Sequence, residues 1–299
     1  MSRTVAVLMG GWSVEREVSL VSGKDCAKAL EERGFDVNVI DVDRDLAAVL
    51  ERDRPDVVFN ALHGRFGEDG RIQGLLDIMQ IPYTHSGMLA SALAMDKPLA
   101  KQLFEAVGLR CPQGVMMAAG EVAKTPPFGV PCVVKPKDEG SSVGVIIVKE
   151  HGDLAQLERA NIEVLVEPFL GDTELTCAVL EDEALAVTEI RPRCGFYDYR
   201  AKYTEGVADH LVPAPLAPEV TDAVMDASLR AHRALDCRGV SRADFRLDKA
   251  RGVDGLYLLE VNTQPGMTPL SLVPEQAAYR GINFGELVER LVEAARCDS

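Results

Sequence analysis

The 299-residue sequence predicts an α/β protein of three consecutive blocks, the first built on a parallel sheet. Three observations carry that expectation. Apolar runs alternate with helix-period segments up to residue 95, the pattern of β-α-β units whose crossovers make neighbouring strands parallel. Two further strand-rich stretches follow, each broken by Gly- and Pro-bearing loops. The last stretch ends in Leu258-Leu259-Glu260-Val261-Asn262-Thr263-Gln264-Pro265-Gly266-Met267, an apolar strand that delivers a carboxylate and an amide into a Pro-Gly turn.

Val5–Met9 reads as a buried strand, since every residue in it is apolar. Gly10-Gly11 then turns the chain into a helix whose Val14, Val18 and Val21 share one face and which ends near Gly34. Phe35–Val42 is a second strand, Leu46–Glu51 a short helix and Val57–Leu62 a third strand. The second block opens with the helix of Lys97 and holds strands around Gly114–Met117, Cys132–Pro136 and Val143–Lys149. Lys124–Pro131 is its Pro- and Gly-bearing loop, and Asn161–Pro168 leads out of it. Strands at Leu175–Leu180, Ala184–Arg191, Gly239–Leu247 and Leu256–Val261 make the third block. Val220–Leu235 and Phe284–Ala295 are helical by period.

Composition narrows the function. A formal charge of -15 argues against nucleic acid as a partner, because a phosphate backbone would be repelled by most of the surface. Any anionic small ligand must therefore meet locally concentrated positive charge. No apolar run approaches the roughly 20 residues that span a bilayer. Val5–Met9 stops at Gly10-Gly11, too soon for a secretory leader. Seven cysteines, an odd number without C-x-x-C spacing, suit reduced structural thiols in a cytoplasm.

Side chains alternate along a strand, so Glu260 and Asn262 share a face while Leu259 and Val261 point into a core. Arg242-Ala243-Asp244 repeats the arrangement upstream, and Asp254-Gly255 is a hairpin signal between the two strands. Antiparallel pairing would gather Asp244, Glu260 and Asn262 as oxygen-only ligands beside an arginine. Such hard ligands suit Mg²⁺ held jointly with phosphate groups. A hairpin with a merely solvated polar face meets the same pattern. Glu139-Gly140-Ser141-Ser142-Val143-Gly144 lies between strand-like runs, where glycine backbone N–H groups and serine hydroxyls can approach phosphate oxygens. Lys135 ends the preceding strand and adds a point charge, although Gly-Ser loops are mostly turns and strand lysines mostly surface residues.

Several motifs, taken in order, resemble those of the D-alanine–D-alanine ligase family within the ATP-grasp superfamily. They begin with Gly10-Gly11-Trp12-Ser13-Val14-Glu15, then His63-Gly64-Arg65-Phe66-Gly67-Glu68-Asp69-Gly70 and Met95-Asp96-Lys97. Val134-Lys135-Pro136, the serine loop, Tyr197-Asp198-Tyr199-Arg200-Ala201-Lys202-Tyr203 and Pro265-Gly266-Met267 with Ser271-Leu272-Val273-Pro274 complete the series. The resemblance runs from the first strand to the last helix. It implies a three-domain ATP-grasp architecture: an N-terminal parallel α/β domain over 1–95, a central domain with the phosphate loop over 96–183, and a C-terminal domain with the metal site and lid over 184–299.

The resemblance also implies ATP and two Mg²⁺ ions (Mn²⁺ being an acceptable substitute), with Asp244, Glu260 and Asn262 as metal ligands. Lys97, Lys135, Ser141 and Ser142 would contact ATP phosphates. Phe169 and Leu170 would meet adenine through the backbone, Glu167 through its carboxylate, and Glu174 would bind ribose. Glu15 would take the ammonium of the first D-alanine with His63 nearby, and Ser141 and Tyr203 would link Glu15 to the second. Ser271 and Leu272 would receive the second carboxylate. Arg242 and a backbone N–H at Gly266 would stabilise the oxyanion. Lys202 and Tyr203 lie in a stretch expected to be a lid that keeps water from an acyl phosphate. Its tyrosines favour an amine nucleophile over D-lactate. The implied product is D-alanyl-D-alanine for peptidoglycan, made by a cytoplasmic homodimer with no membrane or nucleic-acid partner.

Three other readings compete. Gly10-Gly11-Trp12-Ser13 departs from G-x-G-x-x-G, and Trp12 would obstruct a dinucleotide pyrophosphate, which weighs against an oxidoreductase. An ATP-grasp ligase for another acid and amine would keep the metal end and lose Glu15 and Tyr203. A catalytically silent relative would not need Asp244, Glu260, Asn262, Arg242 and both lysines intact.

Overall fold

The computed structural model of the protein describes residues 3–140, 143–157, 162–193, 208–268 and 271–298. Strand β1 (Thr4–Met9) leads through helix α1 (Arg16–Glu32) to β2 (Asp36–Asp41), and α2 (Leu46–Asp53) leads to β3 (Val57–Asn60). These strands form a parallel sheet in the order β2-β1-β3. Val5, Ala6, Val7 and Leu8 are each 0% exposed, so the central strand reads as an unbroken apolar run.

The inward face of α1 differs from the expectation. Val14 precedes the helix and is 71% exposed, Val21 is 51% exposed, and only Val18 of that trio is buried. Small residues face inward instead, among them Ser19, Ser22, Gly23, Cys26 and Ala27. A Cβ on Gly23 would lie 2.4 Å from Met9 Cβ, so close seating of α1 on β1 selects glycine there.

Helices α3 (Arg71–Met79) and α4 (Met88–Met95) close the first block, and α5 (Lys97–Ala106) opens the second. The start of α5 is well defined. The Asp96 side chain accepts from the Leu99 N–H at 3.2 Å, and Pro98 occupies the first turn, where its missing donor costs nothing. Strand β4 (Val115–Ala118), helix α6 (Ala119–Lys124), β5 (Cys132–Lys135), β6 (Ile146–Val148) and β7 (Glu163–Pro168) follow. They form an antiparallel sheet in the order β4-β7-β5-β6. The segment read as a way out of this block is thus β7, an interior strand bonded to both β4 and β5.

The third sheet is antiparallel, ordered β10-β9-β8-β11-β12 from β8 (Thr173–Leu180), β9 (Glu183–Pro192), β10 (Ala208–Leu211), β11 (Val240–Leu247) and β12 (Leu256–Asn262). It therefore begins upstream of the expected boundary at 183/184. Helix α7 (Pro218–Ala234) packs on it, and α8 (Leu272–Tyr279) and α9 (Phe284–Glu293) end the chain. The link between β11 and β12 is a 3₁₀ segment, Lys249–Gly255, rather than a two-residue turn at Asp254-Gly255.

The cores cross the three expected blocks. Leu287, Val288, Leu291 and Val292 of α9 share one cluster with Val5, Val7, Leu30, Val57 and Phe59 of the first block. Ala94 of α4 and Ala100 and Phe104 of α5 pack with Leu175, Phe245 and Leu258 of the third sheet. The second sheet keeps a separate core of Val122, Cys132, Val134, Val148, Leu154, Val164 and Val166. The described cysteines are free thiols, and burial pushes Cys177 and Cys237 up to about 12. Phe104 is 0% exposed and anchors the helix that carries Lys97. Phe104→Ala should therefore cost about 3–5 kcal/mol, measured as a lower midpoint in urea unfolding of the whole chain.

Candidate active site

Strands β11 and β12 pair with Arg242 opposite Asn262 and Asp244 opposite Glu260. The register then shifts between Asp244 and Phe245, which faces Leu258. This bulge revises one expectation. Val261 and Leu258 are buried at 4% and 1%, whereas Leu259 lines the adjacent cleft together with Glu260. An extra residue on one strand breaks the strict alternation, so Leu259 turns from the core toward the site.

Asp244 is the hub of the polar cluster. Arg242 grips it from two positions back, Nε to Oδ1 and Nη2 to Oδ2, both at 2.8 Å. Thr176 Oγ1 donates to Oδ1 at 2.7 Å and Asn262 Nδ2 to Oδ2 at 3.0 Å. Glu260 faces Lys97, whose Nζ lies 3.4 Å from Oε2 and also donates to the Glu139 carbonyl at 2.6 Å. Lys97 therefore ties the carboxylate strand to the glycine-serine loop.

A cleft opens between the second and third sheets, with about 870 Å³ of empty space when the solvent at its mouth is included. Apolar groups form much of its wall, including Val133, Val143, Ile147 and Leu259, as is usual for a small-molecule site. Lys97, Lys135, Glu139, Glu167, Glu174, Asp244, Arg246 and Glu260 supply its polar groups. Glu167, on β7, is 2% exposed and lies between two lysines, Lys101 at 2.6 Å and Lys135 at 2.7 Å. Arg246 pairs with Glu174 at 3.2 Å, stacks 5.0 Å from the Phe169 ring centroid and donates to the Leu170 carbonyl at 3.4 Å. The Phe169 N–H is committed to the Pro131 carbonyl at 3.3 Å.

Beyond the Lys97 end lie the other predicted groups. Glu15 precedes α1 and is 3% exposed. A Cβ on Gly140 would come within 2.9 Å of Glu68 Oε1 and 3.5 Å of Glu15 Oε2, so both carboxylates converge on that glycine. Glu68 lines a second, half-open pocket with Lys97, Glu139, Glu260 and Asn262. Loss of solvent and then the Glu15 charge push its carboxyl up to about 8. His63 is 5% exposed, with Nε2 3.4 Å from Ser22 Oγ. Burial pushes its imidazole down to about 4, against a hydrogen bond with the Gln264 backbone and with help from the Arg242 charge. Gly266 backs onto Ser271, whose hydroxyl bonds to the Thr268 N–H at 3.1 Å and hydroxyl at 2.8 Å. Ser271 and Leu272 stand at the start of α8, where the positive end of the helix dipole favours an anion. Ser141, Ser142, Lys202 and Tyr203 lie outside the described residues.

Family models match across this frame. The model for the D-ala D-ala ligase N-terminus matches residues 45–86, and that for the D-ala D-ala ligase C-terminus matches 103–293. The chain belongs to the D-alanine–D-alanine ligase family. It is 54% identical over 303 residues to the D-alanine–D-alanine ligase of Novosphingobium aromaticivorans, covering 99% of this chain and 97% of the relative. Identity to the ligase of that name from Methylobacterium radiotolerans is 55% over 303 residues, covering 99% of both. Among solved structures, the D-alanine–D-alanine ligase from Bacillus anthracis complexed with ATP superposes with a TM-score of 0.82 at 31% identity, covering 98% of this chain and 97% of that one. The VanG D-Ala:D-Ser ligase from Enterococcus faecalis superposes with 0.80 at 28% identity, covering 98% and 99%.

Sequence reasoning about this D-alanine–D-alanine ligase relative missed four site groups. Lys101 sits one helical turn after Lys97, a spacing that places both on one face of α5 and could have singled it out. Arg246 continues the Arg242, Asp244 alternation along β11. Glu68 stood inside a quoted motif without a role. Gln264 lies in the final strand-and-turn motif without a role in the sequence reading, yet it is buried and cross-links the blocks, accepting from Asn60 Nδ2 at 2.7 Å and donating to the Leu62 carbonyl.

His85 and His232 join His63 as buried imidazoles, pushed down to about 3 and about 4 chiefly by loss of solvent. Their folded values lie below the ordinary 6.5, so the unfolded chain binds more protons as pH falls from 6.5 toward 4. Their contribution to stability is thus whole above pH 6.5 and declines below it. Histidine ring NMR at pH 5.5 should show neutral imidazoles for all three.

Proposed function

We propose that this chain joins two D-alanine molecules into D-alanyl-D-alanine at the expense of ATP, releasing ADP and phosphate for peptidoglycan precursor synthesis. The observation that carries the reading is the junction at Lys97. The oxygen groups of Asp244, Glu260 and Asn262 and the apolar-walled cleft meet there, with Glu15 just beyond. The cleft would take adenine among its apolar walls near Glu167, Phe169 and Leu170, ribose at Glu174, and phosphates at Lys97, Lys135 and the serine loop.

Glu260, Asp244 and Asn262 fit Mg²⁺ well, since two carboxylates and an amide leave places for phosphate oxygens in an octahedral shell. Two such ions would neutralise triphosphate charge when bound. Among the described residues Asp244 accepts from Arg242, Thr176 and Asn262, bonds that take up the lone-pair sites of a carboxylate, so Arg242 or another donor must move for a cation to reach it. Arg242 released in this way can serve the transferring phosphate and the oxyanion.

The first D-alanine carboxylate attacks the γ-phosphate, forming an acyl phosphate and ADP. Phosphorylation turns a poor electrophile into one with a good leaving group. The amine of the second D-alanine then attacks the carbonyl, and phosphate departs from the tetrahedral intermediate. Glu15 holds the first ammonium with Glu68 beside it, while Ser271 and the Leu272 N–H take the second carboxylate. Lys202 and Tyr203 belong to the proposed lid. We place the protein in the cytoplasm as a homodimer by family resemblance, and no helix among the described residues is long and apolar enough to cross a membrane.

The test is ADP release with ATP, Mg²⁺ and D-alanine, beside D-serine, D-lactate and L-alanine arms, with products identified by mass. A D-alanine-dependent dipeptide is the expected product. Folded protein that makes none overturns the substrate assignment. Glu260→Gln should lower ADP formation on the order of 100-fold or more with an unchanged circular dichroism spectrum. Normal turnover would remove Glu260 from the metal site.

A further inference from the structure

We propose that Lys101 is a nucleotide-positioning residue that holds Glu167 in place, frees Lys135 for phosphate and thereby sets the preference for a 6-amino over a 6-oxo purine. The inference rests on the nucleotide reading of the cleft given above. Its basis is a buried group of three charges. Lys101 Nζ lies 2.6 Å from Glu167 Oε1 and Lys135 Nζ lies 2.7 Å from Oε2, with side-chain exposures of 7%, 9% and 3% for Lys101, Lys135 and Glu167.

The two lysines are not equivalent. Lys135 and Glu167 line the cleft, while Lys101 reaches Glu167 from α5 behind it and is backed by Gly114, whose Cβ would sit 3.1 Å from its Nζ. Lys135 therefore has somewhere to go and Lys101 does not. A triphosphate in the cleft competes for Lys135. If Lys135 left a carboxylate this buried without a second cation, an uncompensated charge would remain inside the protein, which is strongly unfavourable. Lys101 supplies that second cation, so Lys135 can exchange Glu167 for a phosphate.

The same contact fixes what Glu167 can recognise. An ionised carboxylate only accepts hydrogen bonds. Held by Lys101, it accepts from the exocyclic amine of adenine and opposes the carbonyl oxygen that hypoxanthine carries at the same place. Helix α5 thus contributes at both ends of the nucleotide, Lys97 toward the phosphates and Lys101 behind the base.

The experiment is steady-state kinetics of the full chain with ATP and with inosine triphosphate, at saturating D-alanine and Mg²⁺. For Lys101→Met, KM for ATP should rise about ten-fold, more than kcat changes, and the ATP-over-inosine-triphosphate ratio of kcat/KM should fall about ten-fold. Lys101→Arg, which keeps the charge, should recover most of that ratio. The double variant Lys101→Met/Glu167→Gln leaves no buried unpaired carboxylate, so it separates recognition from folding; its ratio should equal that of Glu167→Gln alone. An unchanged ratio in folded Lys101→Met overturns the proposal. So does an effect of Lys101→Met that persists undiminished in the Glu167→Gln background. Wild-type protein that releases no ADP from ATP overturns the nucleotide reading and this inference with it, a result distinct from the other two.

Discussion

The pairing of β11 with β12 is the constraint on which the site depends. One register sets Asp244 opposite Glu260 and Arg242 opposite Asn262, and a bulge immediately afterward turns Leu259 outward to the cleft. A slip by one residue would bury both carboxylates in the core and expose Leu258 and Val261. The cost of burying unpaired charge makes that alternative inaccessible. Packing reinforces the register, because Phe245, Leu247 and Leu258 on the opposite face are at most 1% exposed. The chemistry is therefore held by the hydrophobic pattern of its own strands.

Charge explains how a chain carrying -15 can hold an anionic nucleotide. Positive groups are outnumbered, 32 to 47, but gathered at the cleft. Lys97, Lys101, Lys135, Arg242 and Arg246 each meet a carboxylate around one cleft. Cations already paired with acids can exchange partners when phosphates arrive, so no isolated buried charge is needed in the resting protein. The architecture permits such exchange. The second sheet has its own small core, whereas the first and third blocks share theirs. The cleft thus lies between a nearly independent layer and a single fused base.

Local pattern carried much of this into the sequence. Alternation along Arg242-Ala243-Asp244 and Glu260-Val261-Asn262 is a two-residue period of a pleated strand, and it placed Asp244, Glu260 and Asn262 on one face. The unbroken apolar run Val5–Met9 announced a buried strand. Long-range contacts were not legible. The Gln264 amide meets Asn60, 204 residues away, and Lys101 meets Glu167, 66 residues away. Neither partner leaves a mark near the other in sequence. Leu259 was misassigned because a bulge suspends the period on which the argument relied. The expected valine face misled because α1 seats on the sheet chiefly through Ser19, Ser22, Gly23, Cys26 and Ala27 beside Val18 and Leu30, with Met9 setting the close approach at Gly23.

The central claim is that the D-alanine carboxylate is activated by direct attack on the γ-phosphate at the Glu260 end of the cleft. D-alanine labelled with ¹⁸O in its carboxylate, incubated with ATP and Mg²⁺ and followed by mass analysis of the released phosphate, tests it most directly. One ¹⁸O should pass to phosphate for each dipeptide formed, because the bond broken on amide formation lies between the carbonyl carbon and the bridging oxygen. Phosphate whose new oxygen comes from water would contradict the account and mark the cleft as a site of ATP hydrolysis instead.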